Sequence, residues 1–117
     1  MPKKSNKEYR DSIVALMNAE KDDNKVQNFR NALLILDFLI QYNVKRTYFS
    51  DLLMITQSGF QKKMNGISFF TDPQKDIIFA EIEYLKENLD PIKGAINADP
   101  DYLKERRASL RDRGFDI

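Results

Sequence analysis

From Val26 to Ile40 apolar side chains recur at helical spacing, and this one segment limits what the chain can become. Val26, Phe29, Leu33, Leu36 and Ile40 form a single stripe, while Leu34, Ile35, Phe38 and Leu39 widen it until the helix is apolar on most sides. Such a helix needs neighbours around it, so it belongs at the centre of a bundle. Four glycines and four prolines in 117 residues leave few turn signals for strands. The expected fold is therefore all-α, a compact single domain of five to six helices.

Local signals place the other helices. Ser5-Asn6-Lys7-Glu8 has the form of a capping box, with Ser5 accepting from the Glu8 amide and Glu8 reaching back to the Ser5 amide. Tyr9, Ile13, Leu16 and Met17 continue that helix, and Lys21-Asp22-Asp23-Asn24 ends it and caps the central one. Two short pieces follow, Lys45 to Met54 and Thr56 to Asn65, closed by Gly66. Thr71-Asp72-Pro73 starts a helix carrying Ile78, Ile82, Leu85 and Leu89 that stops near Asp90-Pro91. Gly94, Asn97 and Asp99-Pro100 read as a loop, and Asp101 to Arg113 as a last helix anchored by Leu103 and Leu110 and stopped by Gly114. The chain divides into an N-terminal basic arm and extra helix (1–23), a core (24–90) and a C-terminal extension with a short helix (91–117).

Composition removes several classes of chemistry. The chain has no cysteine and no histidine, which leaves no disulfide, thiolate nucleophile, imidazole base or zinc site of the usual nitrogen and sulfur type. Neither a nucleophile paired with a base nor a phosphate-cradling glycine loop is present, so the chain is not expected to be an enzyme and no cofactor is expected. Oxygen-only magnesium or calcium sites stay open on composition alone. The longest apolar run, Ala32 to Ile40, is interrupted by Asp37 and is far shorter than the roughly 20 residues of a membrane span. With no apolar signal core near the start, a cytoplasmic location is expected, with no membrane partner and no small-molecule substrate.

The chain's formal net charge is only +1, yet its distribution is uneven. Residues 44–67 hold Lys45, Arg46, Lys62 and Lys63 against Asp51 alone, a local charge of +3, whereas residues 68–117 carry −3. The basic window is also where the helix pattern is most specific. Phe49, Leu53, Ile55, Phe60 and Met64, with a small Ser50 after Phe49, fit two short helices crossing steeply.

Gln57-Ser58-Gly59, followed by Asn65-Gly66-Ile67, resembles the recognition helix and following turn of the Cro and phage-repressor type of helix-turn-helix family. The similarity spans about residues 28–90 and implies a lambda-repressor-like helix-turn-helix core. Met54 departs from the family pattern, which usually has glycine at the turn between the two helices. A left-handed backbone there costs a non-glycine residue roughly 1 kcal/mol.

The resemblance implies a sequence-specific, phage- or mobile-element-type regulator of transcription that binds double-stranded DNA. A homodimer is implied because one recognition helix covers only a half-site. Gln57, Ser58, Gly59, Gln61 and Lys62 are the candidate base contacts; a glutamine amide pairs with an adenine edge, and a glycine admits close approach. Lys45, Arg46, Lys63 and Asn65 are candidate backbone contacts that set register and supply salt-dependent affinity. Arg46 also falls where the family often places a polar residue supporting the recognition-helix glutamine. Lys3, Lys4 and Lys7 resemble a basic arm.

Plainer readings apply to neighbouring features. Of Phe69-Phe70 at least one ring is expected to close the core. Lys104-Glu105-Arg106-Arg107 reads as a solvated helix face, as do the carboxylates Asp72, Asp76, Glu81, Glu83 and Glu87. An alternative function is a helical protein-protein interaction module, antitoxin-like or a phage accessory protein, using the Ser5 to Glu20 helix or the tail.

Overall fold

The computed structural model describes residues 5–97 and 99–117. Lys3 and Lys4 of the basic arm lie outside the described residues. Among those described, the chain forms seven helices and no strand, which confirms the all-α expectation and corrects the count of five to six. They are α1 (Asn6–Ala19), α2 (Asp23–Tyr42), α3 (Tyr48–Leu53), α4 (Gln57–Met64), α5 (Asp72–Glu87), α6 (Leu89–Asn97) and α7 (Pro100–Asp112).

The caps read from the sequence do most of the punctuation. Ser5 accepts from the Glu8 amide at 3.1 Å, and its hydroxyl lies 3.2 Å from the Glu8 carboxylate, to which it donates. Asp22 caps α2, accepting from the amides of Asn24 and Lys25. Thr71 and Gln74 form a full capping box on α5, with Pro73 in the first turn where no amide partner is needed.

α2 is the central helix, and its buried face is shifted from the expected stripe. Phe29, Ala32, Ile35, Leu36, Phe38 and Leu39 are buried with Asn28 and Asn31, whereas Leu34 and Ile40 are exposed. The apolar surface of the segment is wider than the contact α2 makes. α1 folds back along α2, burying Tyr9 and Ile13, and Arg10 pairs with Asp37 across the two helices. On the other side Phe38 meets Phe49 at 6.0 Å between ring centroids, and Tyr48 meets Phe49 edge-on at 5.2 Å. Phe60 and Phe70 stack edge-on at 5.6 Å, so Phe70 closes the core while Phe69 stays outside.

The segment expected to be a loop and one helix is two helices. Pro91 lies in the first turn of α6, where a missing amide costs nothing, and Gly94 sits inside that helix. A Cβ on Gly94 would overlap the Tyr102 ring of α7, so the glycine is there to let α6 and α7 approach. Leu103 and Leu110 are buried as expected, and Gly114 ends the element at φ 94°.

Two charged residues read as solvated are instead interior. Glu81 of α5 is 0% exposed and Arg106 of α7 is 6% exposed. Tyr48 donates its hydroxyl to Glu81 Oε2 at 2.7 Å, and Arg106 Nε reaches the same oxygen at 2.9 Å. Arg107 is also turned inward, its Nη1 donating to the Asp51 carbonyl at 3.0 Å. α7 thereby packs on α3 and belongs to the same core. No helix among the described residues is long and apolar enough to cross a membrane.

Candidate nucleic-acid interface

α3 and α4 are joined by a turn of two residues plus a cap, and the geometry of that turn follows from Met54. Its backbone is left-handed, φ 57° and ψ 39°, and its amide bonds the Asp51 and Ser50 carbonyls. The conformation lets α3 stop abruptly and sends the chain through Ile55 to Thr56, whose side chain caps α4 by accepting from the Gly59 amide at 2.9 Å. Met54 is 75% exposed, so its side chain returns little burial for the strain. Ser50, 1% exposed, gives its hydroxyl to the Thr47 carbonyl at 2.9 Å and leaves room for close approach inside the pair.

Both short helices have their C-terminal ends held from outside. Arg107 of α7 occupies the α3 carbonyls of Asp51 and Leu52. Buried Asn28 of α2 donates to the Lys63 carbonyl of α4 at 2.7 Å. A helix of six residues cannot stabilise itself, so these side chains set where the pair points.

The candidate contact residues fall into two groups. Gln57, Gln61, Arg46 and Asn65 share one open cleft of about 1020 Å³, bounded opposite by Ser5, Asn6, Tyr9, Ser12 and Leu16 of the α1 segment and floored by Ser50 and Phe60. No aspartate or glutamate is among its described lining residues. Ser58, Gly59, Lys62, Lys63 and Lys45 lie outside that lining. Ser58, Lys62 and Lys45 are exposed. Gly59 is half-buried, and a Cβ there would stand 2.9 Å from Thr56 Oγ1, so a side chain would press on the cap of α4. Lys63 donates its ammonium to the Phe69 carbonyl at 2.8 Å, which draws it toward the loop after α4.

α1 is tied to both ends of the pair. Asn6 accepts from Arg46 Nε at 2.9 Å just before α3, and Tyr9 donates its hydroxyl to Asn65 Oδ1 at 2.7 Å just after α4. The Arg46 guanidinium carbon lies 4.9 Å from the centroid of the Tyr9 ring. Burial pushes the Tyr9 phenol up to about 12, with Arg46 pulling weakly the other way, so it is a protonated donor at neutral pH. The periodicity of the sequence placed Tyr9 only among core residues; its hydroxyl bond spans 56 positions and has no local signal.

Among the described residues no group of three or more carboxylates is arranged to hold a metal ion. Family models, curated proteins and solved structures give no match to this chain.

Proposed function

We propose that the protein is a sequence-specific DNA-binding regulator of the helix-turn-helix type, with α4 entering the major groove and the lambda-repressor-like core running from α2 to α5. The observation that carries this reading is the left-handed Met54 between two short, externally clamped helices, at the position where the resembled family turns on glycine. Beyond it lies an α4 capped by Thr56, with Gln57 exposed at the cleft and Ser58 and Lys62 exposed outside it, side-chain types that read base edges. Lys45, Arg46, Lys63 and Asn65 supply the backbone contacts. A homodimer on a two-fold operator matches the span of a single recognition helix.

The test is selection of duplexes from a randomised pool by the purified protein, with sequencing at two salt concentrations. A selected motif with two-fold symmetry is the expected result. Weak, unselective retention lost at moderate salt removes the reading.

A second reading, a helical module that binds another protein, draws on Leu16 and Ile67, which remain 45% and 73% exposed at the cleft. A protein partner retained after Lys62 and Lys63 are both changed to alanine would favour it over DNA.

A further inference from the structure

The two walls of the cleft between α1 and α4 differ in what their polar groups have left to give. On the α1 side the bonds are engaged within the chain: Ser5 with Glu8, Asn6 with Arg46 and Tyr9 with Asn65. On the α4 side Gln57 is exposed and Gln61 half-buried, and neither carboxamide has a hydrogen-bond partner among the described residues. Asn65 has its Oδ1 filled by Tyr9 and keeps the donor Nδ2. A carboxamide carries a donor and an acceptor side by side, the same pair that a peptide group offers.

Spacing decides what fits such a row. Gln57, Gln61 and Asn65 fall at i, i+4 and i+8, so they stand about 6 Å apart along the helix axis. An extended chain turns every second residue's N–H and C=O to the same edge, a repeat of about 6.6 Å. The lining runs about 12 Å along α4 and about 16 Å along α1, room for about four or five extended residues. A helix would arrive with its backbone groups already paired and would leave both glutamines unspent.

The rest of the cleft suits the same occupant. Its floor is Ser50 and Phe60, one small and one apolar, where alternate side chains of an extended segment would point. Leu16 and Ile67 add exposed apolar surface to the lining. Charge contributes nothing to the fit: the described lining has no carboxylate, and the Arg46 guanidinium is already engaged by Asn6 and the Tyr9 ring.

We infer that the cleft binds an extended, uncharged and partly apolar peptide segment of a partner protein, with Gln57 and Gln61 pairing to alternate peptide groups along one of its edges. The inference deepens the second reading above, binding of another protein, and does not depend on DNA binding. On the DNA reading the same segment covers Gln57 and Gln61 and keeps α4 out of the groove.

For the test, the purified full chain is panned against a displayed library of random short peptides, and the selected sequence is synthesised with a fluorescent label and titrated by anisotropy. The peptide is then N-methylated one amide at a time, which removes a donor and leaves the side chains in place. Losses of about three- to tenfold at alternate positions, with the intervening amides indifferent, are expected. Gln57→Leu and Gln61→Leu should each lose about three- to tenfold, and Lys62→Ala, outside the lining, nothing. Neither glutamine amide holds another part of the fold, so both variants should melt with the wild type, and the N-methyl scan needs no variant at all.

No enriched peptide, or full affinity in both Gln57→Leu and Gln61→Leu, overturns the inference. An equal loss in Lys62→Ala overturns it too, since the site would then lie outside the cleft. An N-methyl scan with losses at every position, or with a helical period, overturns the extended segment and leaves the protein-binding reading to its own test.

Discussion

Arg106 lies against Glu81 in the interior, two nitrogens of its guanidinium bonded to the carboxylate that Tyr48 also reaches. Three helices meet at this carboxylate: α3 through Tyr48, α5 through Glu81 and α7 through Arg106. Burial would lower the Arg106 guanidinium, but the hydrogen bonds and charge of Glu81 more than reverse that, and its net shift is upward. The Arg106 guanidinium carbon also sits 4.1 Å from the centroid of the Tyr84 ring.

Removing one member leaves an uncompensated buried charge. Arg106→Ala is expected to cost about 3–5 kcal/mol of the roughly 5–15 kcal/mol typical for a domain, measured by urea unfolding. The combined change Glu81→Leu, Arg106→Met and Tyr48→Phe removes every partner at once and should recover most of that loss, since apolar replacements of similar volume stabilise as well as a buried pair. A single Arg106→Ala within 1 kcal/mol of wild type, as for an exposed pair, would contradict the geometry.

The same cluster sets a response to alkali. Tyr48 is held far above the ordinary phenol range by burial first and then by the facing Glu81 carboxylate, and Tyr102 is raised mainly by burial against the opposing bond with Tyr48. Tyr9 is raised to about 12. Unfolded phenols release their protons near 10, so above that pH the folded chain binds more protons than the unfolded one, and stability falls as pH rises. The loss approaches about 1.4 kcal/mol per pH unit for each phenol still protonated in the fold, and for Tyr9 it levels off near pH 12. Ultraviolet titration of tyrosinate together with unfolding between pH 9 and 12 reads both quantities. A stability flat across that range would show these phenols to be accessible.

Gly94→Ala tests the contact between α6 and α7. Alanine gains about 1 kcal/mol of helix propensity over glycine, but its Cβ would overlap the Tyr102 ring, which is itself fixed by a hydrogen bond to the Pro91 carbonyl at 2.6 Å. Overpacking of this kind costs about 1–3 kcal/mol, so a net loss of up to about 2 kcal/mol is expected in thermal unfolding. Gly94→Ala combined with Tyr102→Leu should show the propensity gain, because the ring that blocks it is gone.

Why some of this was legible in the sequence and some was not follows from where the information sits. Ser5, Asp22 and Thr71 act within a few positions of themselves, so their caps are written locally. Phe49, Phe60, Met64, Leu103 and Leu110 have no alternative to burial in a helical chain, and all five are in the core. Pro91 and Gly94 read as loop residues because their local preference is against helix; a first-turn position and a packed ring override it. Glu81 and Arg106 read as solvated because charge seldom goes inside unpaired, and their pairing across 25 positions leaves no local trace. At the candidate interface the two short helices were readable, whereas the supports from Asn6, Tyr9, Asn28 and Arg107 all come from distant segments.

On the proposed DNA-binding reading, Gln57→Ala is expected to relax preference at one base pair by about 1–3 kcal/mol while leaving affinity for scrambled duplex unchanged. Lys45→Ala is expected to weaken binding to every sequence and to reduce the slope of log affinity against log salt by about 1. Competition titrations at several salt concentrations separate the two. Equal effects on matched and scrambled duplex for Gln57→Ala would take it out of the groove.

Met54 offers a test of stability without disturbance of the core. Its left-handed backbone is a conformation that costs a non-glycine residue roughly 1 kcal/mol, and its side chain is mostly in water. Met54→Gly relieves that strain; glycine's greater freedom in the unfolded chain subtracts part of the gain. The net expectation is a rise of up to about 1 kcal/mol, or several degrees in melting temperature. Met54→Val should move the other way by more, because a β-branched side chain tolerates positive φ least. Duplex affinity in Met54→Gly should match wild type, since the turn keeps its geometry and no contact to DNA is assigned to this side chain. A melting temperature that falls in Met54→Gly would mean that the methionine side chain stabilises the turn by packing, against the small groove it borders with Leu53, Ile77 and Ile117.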